Sequence, residues 1–208
     1  MRKSGSRNLR EACVEEAFAI IGETGVEGLS IREVARRLGV SHQAPYKHFP
    51  SSQHLLAEII RRTYVLFAAH LRNRPMTGHP AADMHSLGEA YFAFAMQHPL
   101  HYRLMFGTPL EDPSAHPETM RAAQEAFGVL LQAIAALRGR SPDWVTTAED
   151  RLDALFVWSA VHGLATILHS NALSRTGIVN LPPGQAFAEI LRRIGRAMGV
   201  EPPTAPPR

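Results

Sequence analysis

The chain is poor in cysteine. Cys13 is its single thiol among 208 residues, which excludes an intramolecular disulfide and fits a reducing compartment. Cys13 follows Ala12 on the apolar side of an N-terminal helical pattern and reads as a small core residue. The 11 histidines do not assemble into ligand spacing. His98 and His101 are three apart and His162 and His169 seven apart, with no H-E-x-x-H, no Cys pair and no carboxylate–His set, so neither a metal nor another cofactor is expected. A Gly-rich phosphate loop, G-x-S-x-G and a nucleophile with a base are all missing, and no enzyme is expected. The most apolar run, residues 154–168, is too short to span a bilayer and contains His162. No apolar segment opens the chain, so the expected compartment is the cytoplasm, with no membrane partner. Alternating strand patterns and repeats are absent, and the class expected is all-α.

The charge present is unevenly placed. Residues 1–62 hold 10 Lys/Arg and 7 Asp/Glu, a net of +3, while residues 63–208 hold 12 of each. Arg2, Lys3, Arg7 and Arg10 precede the first acid, Glu11. A basic arm of this kind can neutralise phosphates, or it can be a solvated tail.

Within that basic part, SIREVARRLGVSHQAPYKHF (residues 30–49) has the layout of a helix-turn-helix. Ser30 and Glu33 form an S-x-x-E capping box that starts a helix at Ile31. Ile31, Val34, Ala35 and Leu38 share one face. Gly39 is placed for a left-handed C′ residue and Val40 for its hydrophobic partner. Ser41 caps a second helix, expected over His42 to His48, with Pro45 near its first turn. Gln43 can pair with adenine, Lys47 can reach a phosphate or guanine, and Tyr46 can donate to a phosphate. The expected DNA-facing set within it is Ser30, Arg32, Ser41, His42, Gln43, Ala44, Tyr46, Lys47 and His48. From the pattern alone, a helical hairpin with a solvated polar face remains open.

The flanks extend the pattern. LREACVEEAFAIIGETG, LSIREVARRLGVS and APYKHFPSSQHLL, from Leu9 to Leu56, closely resemble the N-terminal domain of TetR-family bacterial regulators. The resemblance includes the aromatic spacing of Tyr46 and Phe49 and the Pro/Ser turn before Leu55-Leu56. Ser52 stands where that family commonly has a lysine. Its hydroxyl and N–H can still meet a phosphate at a helix N-terminus. HPLHYRLMFG with Trp158, His162 and Gly163 is similar to a TetR subgroup with a Trp…His-Gly C-terminal domain.

Helices are expected from about Arg7 to Thr24, Ser52 to Arg74, Ala81 to Gln97, a short one after His98, Glu118 to Arg138, Pro142 to Asn171 and Gln185 to Met198. Residues 1–6 and the tail 201–208 are expected to be disordered, and 173–184 to be a loop. The expected division is a DNA-binding domain over 1–62 and a helical effector-binding and dimerisation domain over 75–200, about nine helices in all.

For that second domain the resemblance implies a small-molecule pocket and a homodimer through the last two helices. Tyr91, Phe92, Tyr102, Met105, Phe106, Phe127, Trp158 and His162 are the pocket candidates, suited to a small apolar or amphipathic effector. His162 reads equally as a buried histidine bonded to a carbonyl. The helix after Pro142 is apolar on more than one face, which calls for two partners. The expected function is a ligand-responsive regulator, a repressor on a palindromic double-stranded operator. The alternative is a small helical enzyme or carrier for an apolar ligand, with a structural N-terminal domain.

Overall fold

The computed structural model describes residues 3–141, 143–170, 172–177 and 182–200, with the side chains of 3–8 and 174 left aside. Nine α-helices and no strand occur among the described residues. They are α1 (Lys3–Thr24), α2 (Ile31–Arg37), α3 (Ser52–Arg72), α4 (Pro80–Gln97), α5 (Pro99–Gly107), α6 (Pro117–Leu137), α7 (Ala148–His169), α8 (Ala172–Thr176) and α9 (Pro183–Ala197). The architecture is an N-terminal helix-turn-helix domain followed by a helical body.

Packing divides the chain into two compact units. The first joins residues 1–66 with 100–123, and the second joins 67–99 with 124–208. The first unit thus recruits a segment beyond the boundary expected at 62. Leu104 of α5 is fully buried in one cluster with Ile20, Ile21, Val34, Phe49, Leu55 and Ile59. The Tyr64 hydroxyl donates to the Met105 carbonyl at 2.9 Å. The buried Thr119 hydroxyl donates to the Ala57 carbonyl at 3.0 Å. Apolar burial and two satisfied polar groups therefore bind α5 and the start of α6 to α3.

In the second unit α7 packs on α4, α8 and α9. Phe94, Ala95, Ala154, Val161, Leu164, Ala165, Phe187, Leu191 and Ile194 are buried there. Phe92 stacks flat on Phe187, with centroids 4.0 Å apart.

Several boundaries differ from those read off the sequence. Helix α1 begins at Lys3, so residues 3–6 are helical, while residues 1 and 2 lie outside the described residues. Ser141-Pro142 does not open α7. The Trp144 N–H donates to the Ser141 carbonyl in a single turn, and Pro142 lies outside the described residues. The start is Thr147, whose hydroxyl accepts from the Asp150 N–H at 3.2 Å while the Asp150 carboxylate accepts from the Thr147 N–H at 2.9 Å. This is a capping box with Asp in place of Glu, and Arg140 adds an ion pair to it at 3.2 Å. Part of the expected 173–184 loop is helical, as α8. Asn171 and the tail 201–208 lie outside the described residues. At 22 residues α7 is long and apolar enough, by length and composition alone, to cross a membrane, which corrects the shorter run above. Its residues Ala154, Val157, Val161 and Leu164 are instead packed inward.

One ion network ties α1 to α3. Glu58, 9% exposed, receives Arg61 and Arg62 at 2.8 Å each and Arg10 at 3.1 Å, and Arg62 also binds Glu11. Burial pushes the Glu58 carboxyl up, but hydrogen bonds from Arg61 and Arg62 outweigh it and hold the group at about 2. A carboxyl depressed from 4.5 to about 2 stabilises the fold fully above its unfolded pKa. That contribution is lost as pH falls from 4.5 toward 2. Glu58→Gln is expected to cost roughly 2 kcal/mol at pH 7 and distinctly less near pH 3, a difference that urea denaturation at the two pH values measures.

Candidate nucleic-acid interface

The head is built by closing α2 abruptly. The Ser30 hydroxyl accepts the Glu33 N–H at 3.1 Å, so the expected cap is made. Its reciprocal half is not, because the Glu33 carboxylate turns to Arg36 at 2.7 Å and Arg37 at 2.9 Å. At the other end Gly39 has φ +65°. Its N–H donates to the Arg36 carbonyl and the Val40 N–H to the Ala35 carbonyl, at 3.2 and 3.1 Å. These are the two bonds of a Schellman closure.

The second element is not the expected helix over 42–48. Residues 42–44 form turns, and only Pro45–Lys47 is helical, as one 3₁₀ turn. Proline explains this. Pro45 has no N–H to return to Ser41, so an α-ladder cannot pass through it. The Ala44 N–H donates to Ser41, and the His48 and Phe49 N–H groups both donate to the Pro45 carbonyl, at 2.9 and 3.0 Å. Pro45 and Phe49 point inward, Pro45 fully buried and Phe49 2% exposed.

With those two anchors inside, the residues before Pro45 and those just after it face outward. Ser41, His42, Gln43, Tyr46 and Lys47 are exposed, as are Ser30 and Arg32 on α2, while Ala44, His48 and Ser52 are half-buried. Ser51 caps α3 through the His54 N–H, beside Ser52.

Not all the nearby positive charge is available. Arg37 is held by Glu23, Glu33 and Glu16, and Arg36 by Glu33. Hydrogen bonds from Arg36 and then Arg37 bring the Glu33 carboxyl down to about 2. Arg10 pairs with Glu58 and lies over the Phe49 ring at 5.3 Å, so it braces the head from within. The sequence reading treated it as part of a basic arm.

A cavity lies in the second unit between α4, α6, α7 and α9, with about 770 Å³ of space counting its open mouth. Of the pocket candidates, Tyr91 and Trp158 line it. His162 stands beside it, Nδ1 2.9 Å from the Tyr91 hydroxyl oxygen, and burial lowers its pKa. Phe127 meets the Trp158 ring edge-on. Phe92 instead stacks on Phe187. Tyr102, Met105 and Phe106 belong to the first unit, where Phe106 meets Tyr64 and Tyr102. The aromatic content of that segment is thus spent on fixing α5. The wall also uses Met84, His85 and Gly88 of α4, Leu191 and Ile194 of α9 and Met198 that caps it, which the sequence reading did not select. Their signal was positional only: i, i+3 spacing on an amphipathic helix, which core and cavity walls share.

The fold and this head define a helix-turn-helix protein with an all-helical second unit. The family described as "Tetracyclin repressor-like, C-terminal domain" matches residues 84–194, more than half of the chain, and "Bacterial regulatory proteins, tetR family" matches residues 14–59. The chain belongs to the TetR family. An HTH-type transcriptional regulator of Mycobacterium tuberculosis is 26% identical over 139 residues, covering 65% of this chain and 59% of the relative. The aligned part therefore spans under two thirds of that relative's length. A protein of unknown function from Rhodococcus sp. RHA1 superposes with a TM-score of 0.72 at 26% identity, covering 91% of this chain and 94% of its own. A TetR family transcriptional regulator, PfmR, from Thermus thermophilus shares the fold with a TM-score of 0.58 at 18% identity, covering 90% of this chain and 97% of its own.

The Schellman closure carries a stability consequence. No heavy atom lies within 4 Å of a Cβ built on Gly39, so only the positive φ opposes a side chain. Gly39→Ala is expected to destabilise the protein by about 1 kcal/mol, as read by chemical denaturation, and Gly39→Asn by less.

Proposed function

We infer that this chain is a dimeric DNA-binding transcriptional regulator that answers to a small molecule, a repressor released from a palindromic operator when its effector binds. The observation that carries this reading is the exposed row Ser41, His42, Gln43, Tyr46 and Lys47, held over buried Pro45 and Phe49. Such a row offers one cation, several hydrogen-bonding groups and an aromatic hydroxyl to a groove. Arg32 and Lys47 are suited to phosphates, having no ion pair among the described residues. Ser52, in the first turn of α3, offers a neutral contact in place of a lysine.

Regulators of this family bind DNA operators and usually act as dimers with small-molecule effectors. For the dimer, the support in this chain is α7. Leu152, Leu155, Phe156 and Ile167 are 41–65% exposed, on the side away from Val157 and Val161. Gly163 and Ser159 lie along the same outer stripe, where a second helix could approach closely. A two-fold pair would set two heads on successive half-sites of an inverted repeat. The cavity supports the effector half of the reading, and ligand binding would act by shifting the population of head spacings.

Selection of DNA from a random pool by the purified protein, at two salt concentrations, tests the whole reading. An enriched inverted repeat whose affinity falls steeply with salt is expected, because phosphate contacts release counterions. Its absence would return the carrier alternative.

Two sets of variants sharpen that test. Lys47→Ala is expected to weaken binding across sequences and to lower the salt slope by about one. Gln43→Ala should relax preference at one base pair by about 1–3 kcal/mol, and an unchanged preference would remove Gln43 as a base reader. The double variant Leu155→Glu, Phe156→Glu is expected to be monomeric in light scattering and to lose the inverted repeat. A surviving dimer would place the interface elsewhere.

A further inference from the structure

The cavity of the second unit has an apolar interior and a charged edge. Its described lining contains no Asp, Glu, Lys or Arg, so the part of a ligand that fills it has to be hydrocarbon. The edge is set by α4. At roughly 100° per residue, the lining positions Ala81, Met84, His85, Leu87, Gly88 and Tyr91 fall in one stripe of that helix. His85 is the border of the stripe and is 33% exposed, wall and surface at once. Glu89 lies about 40° further round on that side. It is 62% exposed, with Oε1 3.5 Å from His85 Nε2.

Glu89 has no Lys or Arg partner among the described residues, and His85 balances it only when protonated. The cations of the neighbouring elements are occupied or turned away. Arg192 and Arg193 pair with Glu189, and Arg138 with Asp153 and Glu149. Arg74 donates to the carbonyls of Leu71 and Asp83. Arg72 and Arg196 are exposed and outside the lining. The carbonyl end of α9 adds the same sign to the wall, because its C-cap Met198 and then Val200 line the cavity, and a helix C-terminus favours a cation. The opposite, positive end of α4 is already met by Asp83, whose carboxylate accepts from the Thr77 and Gly78 N–H groups.

We propose that the cavity receives a cationic amphiphile, an ammonium group on a short aryl or alkyl body, with the body among Leu87, Gly88, Leu191 and Ile194 and the ammonium at the edge beside Glu89. This rests on the effector reading above and names the class of molecule it requires. The apolar wall supplies the affinity and the edge carboxylate the selection. A solvated ion pair adds only a few-fold and is screened by salt, and a ligand carboxylate in the same place loses a similar factor.

Calorimetric titration of the whole chain with 3-phenylpropylamine, 3-phenylpropanol and 3-phenylpropanoate tests it at pH 7.5 and low salt. The three share one body and differ in the charge of the head. The amine is expected to bind about three- to five-fold tighter than the alcohol, and the carboxylate more weakly than either, with the differences shrinking in high salt. Glu89→Gln, at an exposed position, is expected to bring the amine to the level of the alcohol and to leave the alcohol unchanged. Leu130→Trp, which fills the cavity, is expected to weaken all three. A carboxylate as tight as the amine would overturn the cationic class, and an amine preference that survives Glu89→Gln would overturn the anchor. Alcohol affinity unchanged by Leu130→Trp would put the molecule outside the cavity, and binding of none of the three would overturn the proposal outright. Release of the selected operator is read separately. An amine that binds in the cavity and leaves the operator bound would sink the effector reading and uphold the class of molecule.

Discussion

A surface segment with hardly any hydrogen-bond ladder of its own has to be held from beneath, and that constraint governs this protein's head. Between Ser41 and Phe49 the backbone makes isolated turns and one 3₁₀ turn. What fixes it is burial at its middle and its end, Pro45 fully buried in a turn that packs on α1 and α2, and Phe49 in the core with α1, α2 and α3. The fixed φ of Pro45 lowers the cost of ordering the turn, and the burial of Phe49 offsets much of what remains. Arg10 over Phe49, tied into the Glu58 network, braces the same site from within. The outward side chains are thereby carried by a rigid base while keeping their own freedom, which suits groups that must fit a groove.

The second unit answers to a different constraint, how to leave space inside a helical body without collapse. Large side chains meet in pairs, Phe92 stacked on Phe187 and Phe127 edge-on to Trp158. At Gly88 a Cβ would stand 2.5 Å from Leu191 Cδ2, so bare backbone lets α4 and α9 close there, and Phe92 and Phe187 join the same two helices. Among the described residues Tyr91 of the wall meets His162 beside it, its hydroxyl oxygen 2.9 Å from Nδ1, so that polar contact is made within the protein.

Helix α7 connects this core to the outside. Its inner stripe of Ala154, Val157, Val161 and Leu164 is buried, while Leu152, Leu155 and Phe156 are open. A single helix with two apolar stripes reads, by composition, like a membrane span. One stripe packs inward and the Asp150 cap fixes its start, while the other stripe stays open.

The residue order alone determined the all-helical class, the start of α2 at Ser30, its stop at Gly39 and the positions of the polar side chains after it. Each of these depends on neighbours within four or five residues: a cap, a positive φ, a period of 3.6. The family resemblance read from Leu9 to Leu56 rests on the same local order. Two local signals had competitors in the sequence: Pro45's missing N–H turned the expected second helix into a 3₁₀ turn, and the Thr147–Asp150 capping box, with Arg140 paired to it, took the start of α7 from Ser141. Only the tertiary structure decided the rest. The fate of Tyr102, Met105 and Phe106 was not local. An aromatic on an amphipathic helix has the same spacing whether it packs a core or lines a cavity, and the elements that meet it are far away in the chain. For the same reason Gly88 and Leu191 gave no sign of facing each other, and neither did Tyr91 and His162, 71 residues apart.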